Sequence, residues 1–318
     1  ALDPEPEALR VLDLHQGMDM GALLAAADNV HVAFQRLEKA LAKVTGWPAE
    51  RMRLDSPWGP IYIGTTGRDH YREPALLIVD PGGDDVYEGQ AGVANGLVNQ
   101  LVAGVLDFHG NDSYNAGESI LGLGTAILGV SIVVDRLGND HYQAAHAGQA
   151  SALYGVASLE DSQGDDSYNS GVASQGAATM GLALLRDVAG NDRYVTGMMG
   201  QGFSGVRGMG LLVDHAGHDV YRAGGRQADS GRHDDRFVTL SQGVSVGWRP
   251  FAGGGYAALI DVEGNDLYAA DVFGQGVAYW YAAAMLLDGG GQDSYKVHHY
   301  GQGTGIHLSL GLLADRGG

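Results

Sequence analysis

An eight-residue pattern, Asp-x-x-Gly-x-Asp-x-Tyr, recurs along most of the chain, and it restricts the fold more than any other feature. The leading aspartates are Asp80, Asp107, Asp135, Asp161, Asp187, Asp214, Asp261, Asp288 and Asp315. They are separated by 27, 28, 26, 26, 27, 47, 27 and 27 residues. The second aspartates are Asp85, Asp112, Asp140, Asp166, Asp192, Asp219, Asp266 and Asp293. A degenerate copy ending in Asp69-His70-Tyr71 comes first, and 9 of the 15 tyrosines hold the repeat position. Two residues before each leading Asp stands an aliphatic side chain: Ile78, Val105, Val133, Leu159, Leu185, Leu212, Leu259, Leu286 and Leu313. Two further back the side chain is usually small, as at Ala103, Ala157, Ala183, Ala257 and Ala284. Alternation with period two marks a short strand with one buried face. Each unit also carries Gly-Gln-Gly or a relative of it, at Gln149, Gln175, Gln201, Gln242, Gln275 and Gln302.

Units of about 27 residues with short strands and glycine corners predict an all-β fold, a parallel β-helix (solenoid) whose turns stack at about 4.8 Å. Helical repeats of this length show a 3.6-residue period, and propeller blades are longer. Equivalent residues then form ladders: aliphatic inside, tyrosine rings stacked against the interior, glutamine amides hydrogen-bonded to one another. Tyrosine as a platform for sugar rings is the less economical reading. The N-terminal region differs. Val30, Phe34, Leu37, Leu41 and Val44 form one helical stripe, which Gly46 and Pro48 end. Residues 1–56 are therefore expected to be an N-terminal α-helical cap over the open end of the stack, and residues 57–318 the solenoid.

Composition removes several function classes. The net charge of −19 argues against a nucleic-acid partner. The absence of cysteine excludes disulfides, thiolate metal sites and a cysteine nucleophile. No apolar run reaches the roughly 18 residues of a membrane span. Glycine, 52 of 318 residues, supplies the corners. The chain begins without Met, as it would after loss of a signal peptide. The expected location is extracellular, cell-surface or periplasmic.

Stacked turns set equivalent carboxylates roughly 5 Å apart, where two unit charges repel by about 3 kcal/mol at an effective dielectric of 20. Three arrangements relieve this: capping by backbone N–H groups of the turn, screening by solvent, or cations held between turns. Gly138-Asn139-Asp140, Gly190-Asn191-Asp192 and Gly264-Asn265-Asp266 resemble the Gly-Gly-x-Gly-x-Asp-x-aliphatic nonapeptide of haemolysin-type (RTX) calcium-binding proteins. Pro81-Gly82-Gly83-Asp84-Asp85 and Gly289-Gly290-Gly291-Gln292-Asp293 are the nearest matches. The resemblance covers about eight residues of each unit. It departs from the family where the first glycine gives way to Phe108-His109 or Arg136-Leu137, and where about 18 other residues separate successive motifs. It implies calcium between successive turns, with both aspartate rows, Asp80 to Asp288 and Asp85 to Asp293, as ligands.

The 47-residue step exceeds the others by 20 residues and interrupts the stack at 222–256. Its inserted segments fall near Gly224–Arg236 and Trp248–Gly253. Arg222, Arg226, Arg232, Arg236 and Arg249 lie here, 5 of the 16 arginines, with Trp248, Phe251 and Tyr256. Arginine forks bind carboxylate, sulfate or phosphate, and aromatic faces stack on sugars. Arg226, Arg232 and Arg236 are expected to line one concave surface with Trp248, Arg249 and Tyr256. His233, Asp234, Asp235 and Arg236 are the candidate catalytic set, able to abstract a proton from a uronic acid. His298-His299 and His215 with His218 are candidate transition-metal ligands, although their spacing fits no common motif; His15 and His31 read as surface residues of the cap. Two functions follow. The first is a non-catalytic, calcium-stabilised structural or glycan-binding module, whose partner is an anionic polysaccharide or cell-surface glycan and which can self-associate end to end or side by side. The second is a polysaccharide lyase or glycoside hydrolase acting at 222–256.

Overall fold

The structure, a computed structural model, describes residues 6–117 and 119–317. It is a stack of the repeat units, a β-solenoid of about nine parallel turns preceded by two helices. Three sheets run along it. The longest has eleven strands, from Met52–Ser56 to Leu310–Asp315; each repeat strand in it ends at or beside the leading aspartate, as Val156–Asp161 and Leu182–Asp187 do. A second sheet of nine strands carries the tyrosines, and a third of eight follows the Gly-Gln-Gly corner. A minor four-stranded sheet holds Gln227–Asp229, His233–Ser241, Val272–Gly274 and His299–Gly301.

Register follows the sequence repeat residue for residue. Leu159 pairs with Leu185 and Leu185 with Leu212, while Tyr142 pairs with Tyr168 and Tyr168 with Tyr194. The aliphatic ladder from Ile78 to Leu286 is fully buried and packs against the tyrosine rings in one continuous core. The rings stack almost parallel, at centroid separations of 4.6 Å for Tyr114–Tyr142 and 4.9 Å for Tyr194–Tyr221. The small residues Ala103, Ala157 and Ala183 meet Ala126, Ala152 and Ala178 of the third sheet where two sheets approach closely.

Two backbone devices make the corners. At Gly-Gln-Gly the glutamine takes a left-handed conformation, φ +56° at Gln175 and +54° at Gln201, and the following Gly176 and Gly202 continue it. A Cβ on Gly176 would lie 2.0 Å from the carbonyl oxygen of Leu211, so no other residue fits. Contrary to expectation, the glutamines do not bond to one another. Gln175 Nε2 donates to the carbonyls of Tyr168 and Val195, and Gln201 Nε2 to those of Tyr194 and Arg222. Each amide thus ties two neighbouring turns.

The helices are Pro6–Gly17 (α1) and Met20–Leu41 (α2), the latter capped by Asp19, whose carboxylate accepts from the Ala22 N–H. They lie along the flank of the stack and not over its end. The end strand is protected instead by the hairpin Met52–Ser56 with Gly59–Ile63, paired antiparallel. The reason lies in the outer face of the long sheet. Early turns present Leu106 and Val134 there; later turns put Glu160 and Arg186 at the same register. Phe34 and Ala27 of α2 cover the apolar part, and Glu38 closes the margin with an ion pair to Arg136, which also meets Glu160. Leu12 of α1 packs on Tyr154 and Met180 further along.

Because Leu185 is fully enclosed between two identical neighbours, Leu185→Ala is expected to cost about 2–5 kcal/mol in urea unfolding, and Leu153→Ala, half-exposed on the third sheet, under about 1 kcal/mol.

Candidate metal centre

The chemistry of this chain concentrates in one corner, where the long sheet turns into the tyrosine sheet. Both aspartates of every complete unit meet there, all nearly or fully buried except Asp293, which is half-buried. The leading aspartate has two kinds of partner. Its Oδ2 accepts from the tyrosine hydroxyl of the preceding turn: Tyr87 to Asp107 at 2.5 Å, Tyr142 to Asp161 at 2.6 Å, Tyr168 to Asp187 at 2.7 Å, and Tyr221 to Asp261 at 2.8 Å. Tyr114 bonds Asp135 in the same way. In Asp80, Asp107, Asp214 and Asp288 the Oδ1 caps the backbone two residues on, as Asp80 does for Gly82 and Asp214 for Ala216, whereas in Asp135, Asp161, Asp187 and Asp261 that oxygen has no donor. This is the turn-capping arrangement, and the tyrosine hydroxyl adds a link between turns that the sequence did not reveal.

The second aspartate is capped from outside its own turn. The backbone N–H of Asp112 donates to Asp140 Oδ1 at 2.6 Å, that of Asp140 to Asp166 at 2.5 Å, and that of Asp166 to Asp192 at 2.6 Å. The residue just before it runs a ladder in the opposite sense. Asn139 N–H donates to Asn111 Oδ1, Asp165 to Asn139, Asn191 to Asp165, and Asn265 to His218 Nδ1. That position therefore needs a side-chain acceptor, and Asp84, Asn111, Asn139, Asp165, Asn191, His218 and Asn265 all supply one, the ladder ending at the Gln292 N–H. The signal was present in the sequence. His218 is thereby occupied, and His215 accepts from Arg186 Nε at 3.1 Å, so the two histidines serve the stack and not a shared metal. The corner glycine is obligatory: a Cβ on Gly164 would lie 1.5 Å from the carbonyl oxygen of Gly138 and 2.8 Å from Asp166 Oδ1.

These contacts leave oxygens without a donor in matched pairs. Asp135 Oδ1 and Asp140 Oδ2, Asp161 Oδ1 and Asp166 Oδ2, Asp187 Oδ1 and Asp192 Oδ2, and Asp261 Oδ1 and Asp266 Oδ2 are all buried and unpartnered. In each gap the second aspartate of one turn meets both aspartates of the next, as in Asp112–Asp135–Asp140 and Asp140–Asp161–Asp166. One carboxylate oxygen from each lies within 4.8 Å of the others. Bare charge there is costly. Burial, reinforced by neighbouring aspartates, pushes Asp107 and Asp187 well above the ordinary carboxylate range, and burial, opposed by the Tyr194 hydroxyl and the Ala216 N–H, raises Asp214. Burial first, then Asp214, raises Asp261 to about 9; burial, opposed by the Asp219 N–H, raises Asp266 to about 6. Burial also pushes the tyrosine hydroxyls upward, so they remain donors. A proton or a cation between the paired oxygens satisfies both.

The donor set suits a hard divalent ion. Ligands at 2.3–2.6 Å from Ca²⁺ stand at most about 5 Å apart, which three oxygens within 4.8 Å satisfy. Each turn brings two aspartates, so one divalent ion per turn balances the column.

The insertion is arranged otherwise than expected. Its first part forms the antiparallel hairpin Gln227–Asp229 with His233–Ser241, at the corner between the tyrosine and third sheets. Its second part, Trp248 to Ala252, lies at the corner between the third and long sheets. Arg226 lies across Gly171 and Gly197, bracing the hairpin on two earlier turns. Arg236 reaches Asp235 and Asp271, and Arg232 reaches Asp229 and the face of Tyr300. Asp234 accepts from the Gly231 N–H, and Arg222 is exposed on the tyrosine sheet. Trp248 packs on Phe251, with α1 and Tyr154 beside it, while Arg249 meets His307 and Trp280. Tyr256 stands exposed on the long sheet, lining an open groove with Tyr281, Leu308 and Leu310. Arg226, Arg232 and Arg236 thus lie at one corner, Trp248 and Arg249 at another, and Tyr256 on the long sheet. The structure also has a concavity of about 310 Å³, apolar and lined by Ile127, Leu153, Met199 and Phe203, that no sequence signal marked.

No protein-family model, curated protein or solved structure matches this chain. The fold defines the class, a parallel β-solenoid with a carboxylate column at one corner.

Two tests follow. Tyr194→Phe removes the donor to Asp214 Oδ2 and is expected to destabilise by about 1–3 kcal/mol. The raised aspartates hold protons in the folded state that the unfolded chain releases near pH 4. Their contribution is full below about pH 4 and is lost as pH rises, through about 6 for Asp266 and about 9 for Asp261. Unfolding of the chelator-treated protein should therefore become easier from pH 5 to pH 9; a stability that rises over this interval contradicts the assignment.

Proposed function

We propose that this protein is a non-catalytic structural solenoid, stabilised by calcium in the aspartate column and presenting the 222–256 insertion to an anionic glycan. The observation that carries the reading is the burial of the repeat's own functional groups. Aspartates and tyrosines that could serve a substrate are turned inward and bonded from turn to turn. The residues that would hold each ion are the second aspartate of one turn and both aspartates of the next, through the unpartnered Oδ1 and Oδ2 atoms. Ions of this class bind weakly enough in extracellular modules to require the calcium levels found outside cells, which agrees with an extracellular or cell-surface location. The surface offered to a partner is the insertion, where Arg232 is exposed over Tyr300 and Arg236, half-exposed with its Nε buried, lies beside Asp235 and Asp271.

Calcium binds only the folded, deprotonated column, so it stabilises by mass action and competes with protons. The melting temperature is expected to rise with millimolar Ca²⁺ at pH 8 and to be unmoved by it at pH 5. Equal curves with calcium and with chelator at pH 8 would remove calcium from the account. In parallel, the Arg232→Ala/Arg236→Ala double variant should lose retention on an immobilised uronate or sulfated polysaccharide while its thermal unfolding stays within about 1 kcal/mol of the parent. Turnover of such a polysaccharide by the wild-type protein would overturn the non-catalytic reading.

A further inference from the structure

The minor sheet brings together three histidines that are far apart in the chain. His233 begins the strand His233–Ser241, and His298 and His299 stand at the start of His299–Gly301. Those strands are not adjacent; Val272–Gly274 lies between them. The Asp271 carbonyl accepts from the N–H groups of both His298 and His299, which bends the chain there and frees the two side chains from strict alternation. Their rings lie 4.8 Å and 5.3 Å from the His233 ring, centroid to centroid. Two imidazoles bound to one tetrahedral ion through Zn–N bonds of 2.0–2.1 Å have centroids about 5 Å apart. The observed separations match that value. His299 is further set by an edge contact with Tyr300, which itself stacks on Phe273.

The local charge favours a cation. Asp229, Asp234 and Asp235 belong to the same hairpin as His233, and Asp271 receives the His298 and His299 N–H groups at its carbonyl, four acids against Arg232 and Arg236. Both arginines are turned toward aspartates, Arg232 also lying over Tyr300, which leaves the imidazole nitrogens as the donors on offer. His298 and His299 are exposed and His233 half-buried, so an ion from solvent reaches them directly.

We propose that His233, His298 and His299 form a binding site for a borderline divalent transition metal of the zinc class, with the remaining coordination position open to solvent. The site does not depend on the aspartate column, whose oxygen donors select hard ions. A metal here would pin the inserted hairpin to the strand two places along the minor sheet and fix the surface that carries Arg232 and Arg236.

The test uses the full chain, stripped with chelator and held in excess Ca²⁺ so that the carboxylate column does not take up the probe. Zn²⁺ is titrated against a chromophoric chelator, and Co²⁺ is followed by its visible absorption. The expected result is one tight site per chain, with the intense d–d bands of a four-coordinate Co²⁺ ion. His233→Ala and, separately, His299→Ala should each weaken Zn²⁺ binding by at least about 10-fold and abolish those bands, while His31→Ala on α2 changes neither. All three positions are at the surface, and metal-free unfolding curves matching wild type show that the variants fold. Unaltered Zn²⁺ affinity in both site variants, or the weak spectrum of six-coordinate Co²⁺ in the wild type, overturns the proposal.

Discussion

The hydrogen bond from each repeat tyrosine to the leading aspartate of the next turn is the contact on which this structure depends. It joins the two chemically demanding ladders, rings that need a partner for a buried hydroxyl and carboxylates that need a donor. It also spans turns. With the Asp N–H to Asp ladder and the Asx ladder beside it, every corner is bonded to the corner above and below. The ladders fix the register of each corner, and units of 26 to 28 residues take up their differences elsewhere in the turn, with all three ladders intact across the 28-residue step from Asp107 to Asp135. The 20-residue excess is accommodated only because it leaves the stack at two corners away from the aspartates.

The same corner concentrates negative charge in a dry place. Tyrosine and backbone donors satisfy one oxygen of most carboxylates and leave the other facing its neighbour in the same turn. Such oxygens cannot both stay bare. Burial is therefore not only a consequence of the fold but a demand for protons or cations, either of which offsets part of the formal charge of −19.

Much of this was legible in the sequence because a solenoid writes its geometry as a period. The aliphatic ladder, the tyrosine stack and the two aspartate rows appear in the structure in the register that the spacing gives, from Ile78 to Leu286 and from Tyr71 to Tyr295. The partners of the side chains were less legible, since hydrogen bonds run between units and leave no trace in spacing. The Tyr-to-Asp link joins residues about 20 apart, and the acceptor role of Asn139 or His218 is visible only when the position is compared across all copies. The helical stripe of α2 was readable, but where it docks is decided by Leu106 and Val134 on another element. At the insertion, counting located the excess but not its two exits, so Arg232 and Trp248 were placed on one surface when they belong to different corners.

The central claim is that the aspartate column holds protons, and exchanges them for divalent ions. Infrared measurement of the folded, chelator-treated protein at pH 7 tests it most directly. A carboxylic-acid carbonyl band, absent from the unfolded chain at the same pH, is expected, and it should fade with measurable proton release as Ca²⁺ is added. A folded protein at pH 7 that shows no protonated carboxyl band and takes up no calcium would contradict the account.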